Sequence, residues 1–500
     1  MGKKSQKKDN KKENSKQLPV LKRVELNQLL DNLLKLGFST TNSLTEQWNE
    51  FVEMKTLISQ IQVIESELKV KNSGKTRLAC IEKFVEWAKT NGAEFDGIDI
   101  AEFPNYELGL AATKDFKQND LLITIPRKMI MSLDNVSATV LPMMSSPIIE
   151  SMSNVKFAFW LIVEKLNPDS FWKPYLDILP DKYSTVMNFS VAEMQELKGS
   201  SGLPAALNQC KNIARQYAYI NKFVKNRQVD DVDPVFEMLR ERFTYDLYCW
   251  AVSTVMTRQN SIPKVSSDNN TEVEAQPTPA LIPLWDMANH TEGVVSSSFN
   301  DETDRIESAA FKDFRKGEQI FIYYGARNNT NFLIHNGFVY PNNLTDSVAI
   351  RLGLSDADPL LIKRTQLLDA LKIPKNCELD VLPSPKYISP KLLGFVRVFN
   401  MGEEQLDHWL ASERSDDLLW TDCALETALE MKIWTFLKIR LTILLKSFTT
   451  TIAEDEAIVD AHKKGQNKLG HNKILVIQFR LTEKRILQDA LEYVEQRTKP

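Results

Sequence analysis

Hydrophobic positions along this 500-residue chain change their period, and each change predicts a different kind of structure. From Val24 to Leu36 apolar residues recur at three- and four-residue intervals, which predicts a helix stopped at Gly37 by a glycine C-cap. A second helix is predicted from Ser43, which stands three residues before Glu46 as in a capping box. Trp48, Phe51, Leu57, Ile58, Ile61, Ile64 and Leu68 carry its apolar face. Arg77–Asn91 reads as a further helix, ended by Gly92. From Ile98 the period shortens to two, so Ile98–Phe103, Gly109–Lys114 and Leu121–Ile125 read as strands. Helical spacing returns from about residue 134 to 257, most clearly at Val155–Leu166, Cys210–Val224 and Tyr245–Val255. Val265–Pro279, rich in Ser, Asn, Glu and Pro, reads as a surface loop. Strand-like runs follow at Val294–Asn300, Ile306–Phe311 and within Gly317–Gly325. Beyond Phe338 the strand pattern fades, and Pro359–Leu371, Ser389–Asn400, Cys423–Phe448 and Lys468–Glu495 read as helices. No repeat of solenoid period is present.

This succession predicts an α+β chain of two or three domains, a division that its length also favours. Apolar residues make up 43% and charged residues 26%, an ordinary globular composition. The net charge of −4 gives no electrostatic case for nucleic acid over the bulk of the surface. Residues 1–20 form a basic tail, with Lys3, Lys4, Lys7, Lys8, Lys11, Lys12 and Lys16, expected to be disordered. It reads as a solvated tail ahead of a nuclear-import or RNA-binding arm. Gln6 in place of Ser or Thr argues against myristoylation of Gly2. No apolar run is long enough to cross a bilayer, and no membrane role is expected. Five cysteines lie far apart without a CxxC pair, which suggests neither a disulfide framework nor a metal site. A reducing location, cytoplasmic and open to the nucleus, fits that usage.

Two stretches carry the candidate chemistry. Ala280–His290 reads Ala-Leu-Ile-Pro-Leu-Trp-Asp-Met-Ala-Asn-His, a strand-length apolar run that breaks into a polar cluster. Gly317–Gly325 reads Gly-Glu-Gln-Ile-Phe-Ile-Tyr-Tyr-Gly, a β-branched and aromatic strand ending in two tyrosines. On pattern alone these are strand ends bearing polar residues, which are common. Asp286-Met287-Ala288-Asn289-His290 followed by Tyr323-Tyr324-Gly325 resembles the two closing motifs of SET-domain protein methyltransferases. Gly92-Ala93, Gly109-Leu110, Pro126-Arg127, Arg215-Gln216-Tyr217, Arg258-Gln259-Asn260 and His335-Asn336-Gly337-Phe338 fall in the order of its Rubisco-methyltransferase-like branch. The resemblance covers residues 20–495.

It implies a helical segment over 21–93, then a SET-type β-rich catalytic core over 94–338 with a helical insertion at about 134–257. An all-α substrate-binding domain over 345–495 follows. It also implies S-adenosyl-L-methionine as cofactor, held where the closing segments thread past each other, a rare topology. That route is needed, since no G-x-G-x-x-G follows a strand and there is no P-loop. The resemblance assigns Arg77 and Arg258 to the cofactor, and an arginine can clamp a carboxylate through two charge-assisted hydrogen bonds. Each taken alone also reads as a surface salt bridge. Asp286, Met287, Ala288, Asn289 and His290 match the segment that holds the cofactor, and Asn336, Gly337 and Phe338 the one that closes over its adenine. Tyr106, Glu107 and Leu108 stand where relatives have a glycine-rich loop, so backbone contacts are expected from them. Tyr324 is implied to orient methyl and acceptor, and also reads as a packed core tyrosine.

The acceptor turns on proton chemistry. A lysine, with an unperturbed pKa of about 10.4, must first lose a proton. A histidine, at about 6.5, already offers a lone pair and needs only the right tautomer. An Asn oxygen can accept the N–H of the second ring nitrogen, and a flat aromatic wall can stack the ring. Asn260 and Trp285 are similar to the subfamily of that branch which methylates a histidine of actin at the tele nitrogen. Lysine-specific members usually carry Phe and a small residue at these positions. Ile322, Arg327 and Gln216 complete the implied acceptor pocket, with Asn260 and Tyr324 as its catalytic pair. The resemblance thus implies a monomeric enzyme that methylates a histidine of actin. A lysine methyltransferase of a non-histone protein and a non-catalytic actin-binding adaptor are the alternatives.

Overall fold

The computed structural model describes residues 18–498 apart from 42, 69–75, 137–146, 151, 227–233, 265–276 and 424. The basic tail and most of the loop expected at Val265–Pro279 lie outside the described residues.

Among the described residues the first α-helices are α1 (Val20–Gly37), α2 (Leu44–Glu65) and α3 (Ile81–Thr90). Strands β1 (Ile98–Phe103), β2 (Glu107–Ala112), β3 (Leu121–Pro126) and β4 (Met131–Ser132) follow. The inserted helices are α4 (Pro147–Glu150), α5 (Ser153–Leu166), α6 (Lys173–Ile178), α7 (Val191–Gln195), α8 (Gly202–Asn226), α9 (Pro234–Arg242) and α10 (Tyr245–Arg258). Six strands close the catalytic part: β5 (Asn260–Pro263), β6 (Pro277–Leu281), β7 (Asn289–His290), β8 (Ser297–Asn300), β9 (Arg305–Ala309) and β10 (Gln319–Ile322).

These strands form small sheets ordered β1-β2-β10-β7, β3-β9-β8 and β4-β6-β5. Burial alternates along β9 and β10, where Ile306 and Ile320 turn inward, whereas β2 and β3 are buried at consecutive positions, Leu108 to Leu110 and Leu122 to Ile125, and so are covered on both faces. Their inner faces share one apolar core with α5, α8 and α10, whose Trp160, Tyr217 and Tyr248 are completely buried. Strand β10 holds the centre. It runs antiparallel to β2 (Ile320 opposite Leu110) and parallel to β7 (Phe321 opposite Asn289, Ile322 opposite His290).

At the N-terminal end, Ser43 caps α2 by accepting the Glu46 backbone N–H at 3.2 Å. Gly37 does end α1, but for a different reason from a left-handed cap. It stays helical, and the Phe38 backbone N–H donates to Leu34 O at 3.1 Å. A β-carbon at Gly37 would lie 2.7 Å from Arg215 Cβ on α8, so the glycine lets two helices approach. Gly92, by contrast, has φ +92°, the left-handed stop expected of it.

The C-terminal part opens with α11 (Asn329–Asn331) and β11 (Val348–Gly353), then α12 (Leu361–Ala370) and β12 (Asn376–Val381). It continues through α13 (Pro390–Asn400), α14 (Glu403–Leu410), α15 (Thr427–Ser447), α16 (Ile452–Lys463) and α17 (His471–Arg497). Its helices enclose a second core around Leu393, Phe395, Ile433 and Leu441. A two-stranded antiparallel ribbon, β11–β12, accompanies them where the sequence pattern shows only helices. Each strand is six residues long, too short a run of alternation to stand out. Helix α17 fastens this domain to the insertion. Buried Arg480 binds Asp455 at 2.6 and 2.9 Å and also pairs with Glu196 just beyond α7. Among the described residues no helix is long and apolar enough to cross a membrane.

Replacing Gly37 with Ala should lower stability by about 1–3 kcal/mol, because the added methyl meets a backbone-fixed carbon. The urea midpoint checks this, and an unchanged midpoint would show that the helices are not in close contact there.

Candidate active site

The polar cluster is aimed by a strained turn. Leu284, fully buried, has φ +73° and ψ −54°, a conformation that a branched L-residue holds only when its surroundings impose it. The 3₁₀ turn Trp285–Met287 follows and turns Asp286 inward, 8% exposed, while Trp285 stays half-buried. A cleft of about 190 Å³ forms beside it, at the ends of β5 and β10. Asn260, Trp285, Ile322, Tyr324, Arg327 and Asn336 line this cleft, and Arg258 and Asp286 form its inner end. Residues spread over 79 positions of sequence, Arg258 to Asn336 counted inclusively, thus meet in one small space.

Each side chain there has a definite anchor. The Tyr324 hydroxyl donates to Ala288 O at 2.8 Å. The Tyr324 backbone N–H donates to His290 Nδ1 at 3.2 Å. Asn260 Oδ1 accepts the Ser261 N–H at 2.8 Å, which uses one of its two lone pairs. Arg327 Nη1 donates to Asn336 Oδ1 at 3.1 Å. The Trp285 indole N–H donates to Ser297 Oγ at 2.9 Å.

Behind the cleft sits a buried charge system. Arg258 donates through Nη1 to Asp286 O at 2.7 Å and faces the Asp286 carboxylate at 3.5 Å. Tyr175 donates to the other carboxylate oxygen at 2.5 Å. Burial opposes the Arg258 charge, yet Asp286 and the neighbouring Tyr183 and Tyr175 hold it above its ordinary value, so it stays cationic. Arg77 lies close by. Burial and the Arg258 charge both push it down, and Nη1 pairs with the exposed Glu107 at 2.8 Å. Two guanidinium groups beside one another invite a further anion. Burial pushes the Tyr324 hydroxyl up to about 12, so it is protonated at neutral pH and can donate a hydrogen bond.

The remaining expected cofactor residues surround a second wall. Asn289 Nδ2 donates to Leu108 O at 3.3 Å, which ties β7 to β2. Tyr106, 42% exposed, stands edge-on to Phe321 at 5.5 Å. Met287 and Ala288 are buried in the core. Phe338 stacks on Phe332 at 4.6 Å and lies 6.0 Å from His290. Gly337 has φ +75°, and a β-carbon there would meet the Ser184 backbone at 2.9 Å. Gln216 does not join the cleft. It accepts the Tyr248 hydroxyl at 3.0 Å and lines a separate cavity between α4, α5 and α8. A glutamine on a long helix carries no pattern that tells which neighbour it faces. Tyr175 and Tyr183, which flank Arg258 and Asp286, come from the insertion, and no spacing in the sequence links them to the motifs.

The residues present fit S-adenosylmethionine. Among the described residues Arg258 Nε is buried without a hydrogen-bond partner, and Asp286 Oδ1 faces only Arg258 Nη1 at 3.5 Å, an arrangement that suits a charged ligand. A β-carbon at Gly109 would lie 2.6 Å from Gln319 Nε2 and 2.9 Å from Asn289 Nδ2, so a larger residue would displace the Asn289 side chain along that wall.

A SET-domain profile matches residues 107–325, and a Rubisco LSMT substrate-binding profile matches 355–487. The fold is that of solved Rubisco LSMT structures. The SET domain of LSMT bound to lysine and AdoHcy superposes with a TM-score of 0.65 at 20% identity, over 83% of this chain and 91% of that one. Rubisco LSMT bound to AdoMet gives 0.59 at 20% identity, over 84% and 92%. Fold and site together define a SET-domain methyltransferase with a C-terminal substrate-binding domain. The actin-histidine N-methyltransferase of Drosophila melanogaster is 39% identical, over 96% of this chain and 90% of the relative. The human and chicken enzymes of that name are 37% and 38% identical, over 98% and 94% of this chain and 81% and 77% of theirs. The chain belongs to the actin-histidine N-methyltransferase family.

Burial, then the Arg327 charge, push the His290 ring down to about 4. Its neutral form therefore favours the folded state. That contribution, roughly 3 kcal/mol at most, is complete above pH 6.5 and is lost as pH falls through about 4. An NMR titration should show the His290 ring unprotonated from pH 8 down to pH 5, whereas a midpoint near 6.5 would contradict the buried, neutral role.

Proposed function

We propose that this chain methylates a histidine of actin, using S-adenosylmethionine. Its single strongest support is the meeting of Asn260, Trp285, Tyr324 and Arg327 in one cleft beside the paired arginines, in a chain related over nearly its whole length to actin-histidine enzymes. When bound, the cofactor supplies a methyl activated by a sulfonium.

The protein's own residues then have three tasks. Arg77 and Arg258 hold the carboxylate of the cofactor's amino-acid end, and Asn289, His290 and the 336–338 segment hold the remainder. Asn260 accepts the N–H of one imidazole nitrogen on its second lone pair, leaving the other nitrogen unprotonated towards the methyl. The Trp285 face closes the slot on the flat ring. Tyr324, protonated and tied to Ala288 O, keeps a fixed oxygen at the transfer site, where a weak C–H···O contact helps align the methyl. No base is required, because a neutral imidazole carries its lone pair at physiological pH. Alignment and exclusion of water supply the catalysis. The C-terminal helical domain supplies a docking face for a folded protein.

Incubation with labelled S-adenosylmethionine and unmethylated actin, followed by mass spectrometry, tests the reading. Methyl on a histidine is expected. Methyl on a lysine would move the assignment to a lysine enzyme, and tight actin binding without transfer would make the chain an adaptor. Asn260→Phe should shift preference from histidine towards lysine in paired peptide substrates, and Tyr324→Phe should cut kcat/KM by about 10- to 100-fold through lost alignment.

A further inference from the structure

The Trp285 wall has its own support, and that support crosses two strands. Leu284 fixes the backbone of Trp285, but nothing in the turn sets how the indole plane lies. Its N–H donates to Ser297 Oγ at 2.9 Å, and Ser297 donates in turn to Ser308 Oγ at 2.9 Å. Ser297 and Ser308 are directly opposite each other on β8 and β9, and Ser308 faces Ile123 on β3. Ser308 is 1% exposed, so the far end of the chain of hydroxyls sits in the rigid interior of the sheet. The near end lines the cleft together with Asn260 and Tyr324.

We infer that Ser297 is a positioning residue: through the Ser308–Ser297–Trp285 relay it holds the indole as one wall of a slot shaped for a flat imidazole, and so sets the preference for histidine over lysine. This rests on the histidine reading above. The physical reason is geometric. An indole with a free N–H is held by packing on one side only, because its other face borders the open cleft. It then samples other rotamers, and the slot widens. A planar ring loses its stacking partner in a widened slot, whereas a flexible aliphatic chain loses little. The relay acts on acceptor choice and leaves the arginine end of the site alone.

The test compares Ser297→Ala with Ser297→Thr, which keeps the hydroxyl and suits a strand. Three quantities are read: the indole N–H resonance of Trp285, assigned by its loss in Trp285→Phe; the ratio of kcat/KM on an actin peptide to that on the same peptide with lysine at the acceptor position; and the dissociation constant of S-adenosylhomocysteine. In Ser297→Ala the resonance should move and sharpen its exchange with water, and the histidine-to-lysine ratio should fall about tenfold, the worth of one lost hydrogen bond. Cofactor affinity should not change, and Ser297→Thr should restore both. An unmoved resonance, an unchanged ratio, or a parallel loss of cofactor affinity would overturn the inference, as would a Thr variant no better than Ala. If the native chain transfers nothing to histidine, the functional reading fails, while the indole resonance still decides whether the relay exists.

Discussion

The site depends on the two-sided pairing of β10. One edge of this short strand meets β2 antiparallel and the other meets β7 parallel, so segments far apart in sequence share one strand's backbone. Tyr324 follows the strand directly, and Asn289 and His290 lie opposite its last residues. A parallel neighbour cannot be reached by a tight turn. The chain between β7 and β10 therefore makes its own excursion, and β8 and β9, which pack against β3, come from it. The same excursion supplies Ser297 and Ser308, so the hydroxyls that hold the Trp285 indole N–H come from the connection that the pairing requires.

Charge placement follows from that frame. Buried cations are costly unless paired, and here Arg258 is balanced by Asp286, which Tyr175 holds in turn. Hydrogen bonding is incomplete among the described residues: Arg258 Nε has no partner, and Asp286 Oδ1 has only its 3.5 Å ion pair with Arg258 Nη1. Meanwhile the imidazole of His290 is kept neutral by burial and by Arg327, so its Nδ1 remains an acceptor for the Tyr324 backbone. The residue that accepts the Tyr324 backbone N–H thus adds no charge beside the tyrosine.

The two larger domains are joined rigidly and not by a loose linker. Arg480 and Lys484 on α17 converge on the buried Asp455, and Arg480 reaches Glu196 beside the insertion. Helices α1 and α2 close against α8, where Gly37 admits the backbone of Arg215's helix.

Much of this was legible in the amino-acid order. Periods of about 3.6 and 2 are local properties, and they located the main helices and strands, with β2 beginning two residues before the expected start. Ordered motifs identified the superfamily, and the resemblance at Asn260 and Trp285 set the expectation of a flat acceptor. The β11–β12 ribbon was hidden because six alternating residues carry little information. Gly37 was visible as a helix end but not as a contact, since its reason lies in a helix 178 residues away. Gln216 was drawn into the site by its place beside Arg215 and Tyr217, but the rotation of α8 turns it to Tyr248. The tyrosines behind Arg258, the unfilled polar atoms and the Ser308–Ser297–Trp285 relay were decided only by tertiary structure. Each is a matter of which side chains long-range packing brings within 3 Å of one another, and no local pattern of spacing encodes that.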